Sequence, residues 1–194
     1  DININKIEVW VTNTTSNYEN CRNIVAFTDL GEGKEEWIYN DGKVRPSGMI
    51  GTQYPDDTVN SLLNNIDYNS LRSLNTVTSY LTSEGYTSGK DFEKLQKARK
   101  LSPSEYVLNN KLGFITLNIN LNANQTLAVA YQYTVIGHDK VYQVGEFSDQ
   151  SISDPNLLVT KLLKSTTINT KMPMWDLMMK NVYNIRAYQV SPND

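Results

Sequence analysis

The stretch from Leu101 to Ser148 constrains the fold more than any other, because its second half alternates. Val129, Tyr131 and Tyr133 alternate with Ala130, Gln132 and Thr134. A second apolar-rich run, Lys140 to Phe147, follows the turn Val135-Ile136-Gly137-His138-Asp139. Successive side chains of an extended chain point to opposite faces, so a period of two on either side of a Gly/Asp turn predicts a β-hairpin. Lys111 to Asn118 (KLGFITLN) supplies a third strand, joined by the polar connection Asn120 to Asn124. The expectation is an antiparallel meander at the centre of the molecule.

Other strands follow from the same reasoning. Ile7, Val9 and Val11 alternate with Lys6, Glu8, Trp10 and Thr12. Trp10 thus falls on the polar side, where it is expected to cover a loop or a second layer rather than to face a ligand. Asn23 to Leu30 reads as a second strand and Glu36 to Asn40 as a candidate third. Leu157 to Lys164 is too short for periodicity to decide, and its β-branched Val159 and Thr160 favour a strand. Between the strand groups the period changes. Val59, Leu62, Leu63 and Ile66 sit at i, i+3, i+4 and i+7, Leu71, Leu74, Val77 and Leu81 repeat the stripe, and Phe92, Leu95 and Ala98 extend it. Asp56 or Asp57 offers an N-cap, Gly85 a stop, and Ser88 to Asp91 resembles a capping box. Pro173 to Asn184 has a Pro in the first turn of a helical pattern, and Ile185 to Val190 would return to the sheet. The predicted class is α+β, mainly antiparallel β. It is a β-sandwich-like single domain over residues 1–194, with a helical insertion at about 56–100 and a further helix near 173–184.

The residues that carry chemistry are few. A net charge of -3 and a pI of about 5.2 leave no basic surplus for phosphates, which argues against nucleic acid as a partner. Lys94, Lys97, Arg99 and Lys100 read as a solvated helix face. The single cysteine, Cys21, excludes an intrachain disulfide. It sits beside Arg22 without a protease signature and reads as a bystander thiol. The single histidine, His138, lies in the hairpin turn and excludes mechanisms that need two histidines, most zinc sites among them. Asp29, Glu32, Glu35 and Glu36 hold the paired carboxylates that glycoside hydrolysis requires, although solvation in a loop is the ordinary reading. Trp175 with Met172, Met174, Met178 and Met179 reads as core packing before an adaptable binding surface. No catalytic, cofactor-binding or metal site is assigned, and no cofactor is expected. No apolar run approaches the ~18 residues of a transmembrane helix. The chain starts at Asp1 without an initiator methionine and reads as an excised piece of something longer or as a mature product.

Several blocks carry a resemblance. They are INKIEVWVTN with NIVAFTDLGE, KARKLSPSEYVLNNKLGFITLN, LAVAYQYTVIG followed by KVYQVGEFS, and MPMWDLMMKNVYNI with AYQVSP. In this order, and over nearly the whole chain, they resemble the N-terminal repeat region of the SprA/Sov family, large outer-membrane proteins of the Bacteroidetes. The resemblance implies the translocon of the type 9 secretion system, a very wide β-barrel that passes folded proteins and supports gliding motility. This chain lacks a run of membrane-spanning strands with aromatic girdles. The resemblance therefore implies a soluble, non-enzymatic structural or docking domain of such a protein, at the extracellular face or in the periplasm. Its partners would be the rest of the parent barrel and other secretion-system or secreted proteins. Asp57-Thr58-Val59 fits the short O-glycosylation motif of that phylum. The alternative is a surface glycan-binding or adhesion β-sandwich presenting Trp10 or Trp37. A carboxylate-based glycoside hydrolase around Glu32 to Glu36 ranks below it.

Overall fold

A computed structural model describes residues 2–32, 62–137, 139–150 and 152–179. In chain order the elements are β1 (Ile2–Val11), β2 (Cys21–Phe27), α1 (Val77–Ser83), β3 (Phe92–Lys100), β4 (Tyr106–Asn109), β5 (Phe114–Leu117), β6 (Leu127–Val135), β7 (Val141–Val144) and β8 (Leu158–Lys164), followed by a 3-10 turn at Pro173–Leu177.

The main sheet closes on itself. Its order is β1-β3-β2-β8-β6, and β6 returns to β1. β1 pairs with β6 along its length, from Ile2↔Val135 to Val11↔Leu127, and meets β3 at Trp10↔Lys100 and Val11↔Arg99. β2 and β8 are parallel; the other pairs are antiparallel. The expected sandwich is therefore corrected to a five-stranded barrel. Both edges of β1 are taken by strands of the same sheet, which closes that sheet into a ring.

The β6–β7 hairpin forms as predicted, with Tyr131↔Val144 and Thr134↔Val141 in register. The third strand of the expected meander does not join it. β1 occupies one edge of β6, while β8 and β7 share the other, so no edge of β6 remains for it. β5 pairs instead with β4 in a separate two-stranded ribbon over the outer face of β1 and β6.

The barrel interior holds Trp10, Ile24, Ala26, Leu95, Ala98, Ala128, Leu158 and Leu162, with residues from all five strands. Trp10 is fully buried. Its polar-side neighbours did not predict solvent, because that side is the interior. The small side chains of Ala26, Ala98 and Ala128 make room for the indole. Glu8, on the same face, is satisfied by Ser148 N–H (2.9 Å), Ser148 Oγ (2.7 Å) and Lys100 Nζ (3.1 Å).

The helical insertion over about 56–100 is corrected as well. Its described part contains one short α-helix, α1, and a 3-10 turn over residues 62–64. That helix ends where Gly85, at φ +82°, lets Tyr86 N–H reach Leu81 O (2.9 Å) and Gly85 N–H reach Thr82 O (2.9 Å). Residues 65–76 are turns; the Asp67 carboxylate accepts from Asn69 N–H (3.2 Å) and Ser70 Oγ (2.5 Å), which competes with helix formation. Residues 92–100 form strand β3. Phe92 packs outside with Phe27, and Leu95 packs inside. An extra residue then enters β3 between Leu95 and Ala98, with Lys97 at φ +49° and its N–H on Asn23 Oδ1 (3.0 Å). This bulge returns Ala98 to the inner side, and three-residue spacing in a strand imitates a helix.

Over its described residues, 173–179, the helix expected near 173–184 is one 3-10 turn, in which Trp175 and Met178 N–H bond three residues back. Residues 180–194 lie outside the described residues, as do Glu35, Glu36, Trp37, Asp57-Thr58-Val59 and His138. Leu158–Lys164 is a strand, as its β-branched residues indicated.

Candidate functional site

A cleft of about 940 Å³ lies between the β4–β5 ribbon, the outer face of β1, β6 and β8, and the segment from Met174 to Met179. Its floor is alternate residues of β1 and β6. The bulge between Ile4 and Lys6 keeps Ile2, Ile4 and Ile7 on this side. Val129 and Tyr131 come from β6. Its roof is Phe114, Ile115 and Leu117 of β5 with Leu108 of β4. The ribbon is tied down near its two ends, by Ile4 N–H on Asn110 O (2.9 Å) and Leu101 N–H on Val9 O (2.8 Å).

One end of the cleft is charged. Lys161 projects from the outer face of β8 between Val159 and Leu163. Its ammonium donates to Thr28 O and pairs with the Glu32 carboxylate. Glu32 Oε2 also accepts from Leu30 N–H (2.7 Å), and Asp29 Oδ1 from Gly31 N–H (2.6 Å). Burial, reinforced by the Glu32 charge, pushes the Asp29 carboxyl up to about 6 against the pull of Lys161. Burial also holds the Tyr131 hydroxyl well above its usual range, with Glu32 and Asp29 adding to it. Lys164 spends its ammonium on the carbonyls of Gln125 (2.6 Å), Ala123 (2.9 Å) and Ser165 (3.1 Å).

The chemistry open to these groups is narrow. Asp29 and Glu32 sit close enough for the Glu32 charge to raise the Asp29 carboxyl, and Glu35 and Glu36 of the same acidic cluster lie outside the described residues. Among the described residues, no group of three or more histidine, cysteine, aspartate or glutamate side chains could hold a metal ion.

The residues singled out in the sequence scatter. Asp29 and Glu32 come together in the cleft. Cys21 is half-buried at the start of β2, and the neighbouring Arg22 guanidinium donates to Ile152 O (2.6 Å). Trp10 is inside the barrel and offers no platform for a sugar. The basic cluster lies on β3 rather than on a helix: Lys94 donates to Leu74 O, Lys97 lies over Tyr18, Arg99 grips Glu105 (2.8 and 2.9 Å) and Lys100 pairs with Glu8. Phe147 is core, while Phe114 and Tyr131 line the cleft. Met174 is buried and Met179 exposed, so the methionine segment is half core and half cleft wall. Sequence reasoning missed Lys161. Its signal was a lysine inside the apolar run LLVTKLLK, because a lysine in a buried strand requires a counter-charge.

The chain matches no protein-family model and no curated protein. Among the described residues, no helix is long and apolar enough to cross a membrane.

Proposed function

We propose that the chain is a non-enzymatic structural and docking domain of a very large outer-membrane protein-export translocon of the SprA/Sov kind, active in type 9 secretion and gliding motility. The observation that carries docking is the cleft. It is large and mostly apolar, and its lysines are already committed to carboxylate and carbonyl oxygens. A catalytic pocket aims convergent polar groups at a reacting atom; a surface that holds a partner offers apolar area with a few orienting charges.

The assignment to a translocon rests on the resemblance. The blocks that carry it are also the elements that build the cleft: INKIEVWVTN is β1, KARKLSPSEYVLNNKLGFITLN includes the ribbon, LAVAYQYTVIG is β6, and MPMWDLMM forms the adjoining wall. Partners on this reading are the parent barrel and other secretion-system or secreted proteins, at the outer membrane. The parent gene tests it. Outer-membrane-type strands of roughly ten residues beyond this segment are expected, and a parent without them overturns the assignment. In-frame deletion of the segment should abolish export of folded cargo while leaving the barrel in the membrane.

A further inference from the structure

We propose that the cleft receives an extended partner segment that pairs with the free edge of β5, fills the apolar space with alternate side chains, and sets one Lys or Arg side chain against Asp29 and Glu32. The inference rests on the docking reading above and adds the chemistry of the partner.

Three observations converge on this occupant. First, β4 and β5 form a two-stranded sheet that pairs with no other strand among the described residues. All four residues of β5 front the cleft, against Leu108 alone from β4. A strand laid along β5 would take up edge N–H and C=O groups while its side chains entered the cleft. Second, the space is bounded by side chains such as Ile7, Val129, Phe114 and Met179, which suits apolar residues. Third, the charges are unbalanced. Among the described residues, Asp29 and Glu32 share one ammonium, that of Lys161, while Lys164 is turned onto backbone carbonyls. Asp29 is faced by Glu32 from its own loop, by Lys161 from β8 and by Tyr131 from β6, and Asp176 lines the same cleft. Two buried carboxyls beside one cation favour a second cation, and an anion is repelled.

Arrival of that cation changes the protonation of Asp29. Its carboxyl, held up to about 6, would ionise on binding, so affinity for a cationic segment rises as pH rises through that range and a proton is released.

The test uses the full 194-residue chain and a short fluorescent peptide of alternating valine and threonine with a central lysine, alongside glutamate- and norleucine-centred counterparts. At about pH 7.5 the lysine peptide should bind about tenfold tighter than the glutamate peptide, and the advantage should shrink near pH ~5. Asp29→Asn, which keeps the acceptor for Gly31 N–H, should remove the lysine preference and leave the norleucine peptide unaffected. Leu177→Arg, at an exposed position on the cleft wall, should weaken the lysine peptide most. Amide exchange should slow across Phe114–Leu117 when peptide is bound. Equal binding of the lysine and glutamate peptides overturns the proposal, as does protection elsewhere. A photo-crosslinker at position 177 that captures only residues 181–194 of the same chain also overturns it. Absence of binding by every peptide overturns the partner chemistry alone, since the translocon assignment stands or falls on the parent gene.

Discussion

The two faces of the barrel wall are built from alternate residues of the same strands, yet they are covered in different ways. Inside, ring closure sets the space: five strands leave room for one indole with small and aliphatic neighbours, and Trp10, Ala128 and Leu158 pack together. Outside β1 and β6 the cover is a two-stranded ribbon hydrogen-bonded to β1 near its ends, with about 940 Å³ beneath it. The first arrangement is close-packed and should dominate stability. The second buries apolar side chains incompletely, leaving area to gain when a partner arrives.

Trp10→Ala against Phe114→Ala is the severest test of that contrast. Losing the indole from a filled interior should cost about 3–5 kcal/mol of unfolding free energy. Losing Phe114 from the cleft roof should cost well under half of that, because the removed surface was only half covered. Urea denaturation of the two variants measures both, and equal costs would mean that the ribbon is as firmly packed as the ring.

The next effect tests the cover on the other side of the barrel. Arg72, from the turns before α1, grips Glu146 (2.7 and 2.6 Å) and donates to Leu157 O (2.6 Å), while Val159 N–H donates to Glu146 Oε2 (2.7 Å). Burial pushes the Glu146 carboxyl up to about 7 and the Arg72 guanidinium down to about 10, and the two-pronged bond between them offsets that burial. Arg72→Met should therefore cost about 3–5 kcal/mol by leaving a buried carboxylate unpaired. Adding Glu146→Gln should restore most of the loss. A double variant no better than the single one would show that the arginine acts through packing alone.

A smaller effect belongs to the cleft. The Asp29 carboxyl rises from 3.8 to about 6 on folding. The folded state thus holds this proton more tightly than the unfolded chain does. That contribution is present below about pH 4 and is lost as pH rises through 6. Asp29→Asn should be more stable than the parent by about 1–2 kcal/mol above pH ~6 and should flatten the profile between about pH 4 and 6. Denaturation midpoints across that range provide the check. An unchanged profile would remove Asp29 as its source.

The smallest effect sits at the bulge of β3. Lys97 holds φ +49°, a conformation that glycine adopts without strain. Lys97→Gly should stabilise the chain slightly, by less than about 1 kcal/mol, after the entropy that glycine adds to the unfolded chain. Loss of stability would mean that the Lys97–Tyr18 contact outweighs the strain.

Much of the strand content was legible because it is local. β1, the β6–β7 hairpin and β8 follow from alternation, a Gly turn and β-branched residues. The stop of α1 at Gly85 was equally visible. The helical stripe from Leu62 to Leu81 identified buried residues correctly, since Leu62, Ile66, Leu71, Val77 and Leu81 are all covered. It misread the conformation of most of them, because turn bonds at Asp67 place apolar residues on one side without a helix. β3 failed for a related reason: one inserted residue converts a two-residue period into a three-residue one. In the cleft, Asp29 and Glu32 were visible as part of an acidic cluster that runs on to Glu35 and Glu36. Their ammonium partner was not, because it comes from a strand more than a hundred residues away.

Trp10 marks the boundary between the two kinds of information. Local alternation alone determined that Trp10 and Glu8 share one face of β1 and Val9 and Val11 the other. It could not say whether the face of Trp10 meets water, since period-two geometry relates a side chain only to its own strand. The pairing of Ile2–Val11 with Leu127–Val135 and of Trp10 with Lys100 closes the ring and turns that face inward. Burial of the indole, the outer position of Lys161 and the cleft under the ribbon all follow from that closure, which depends on residues brought together only in the folded chain.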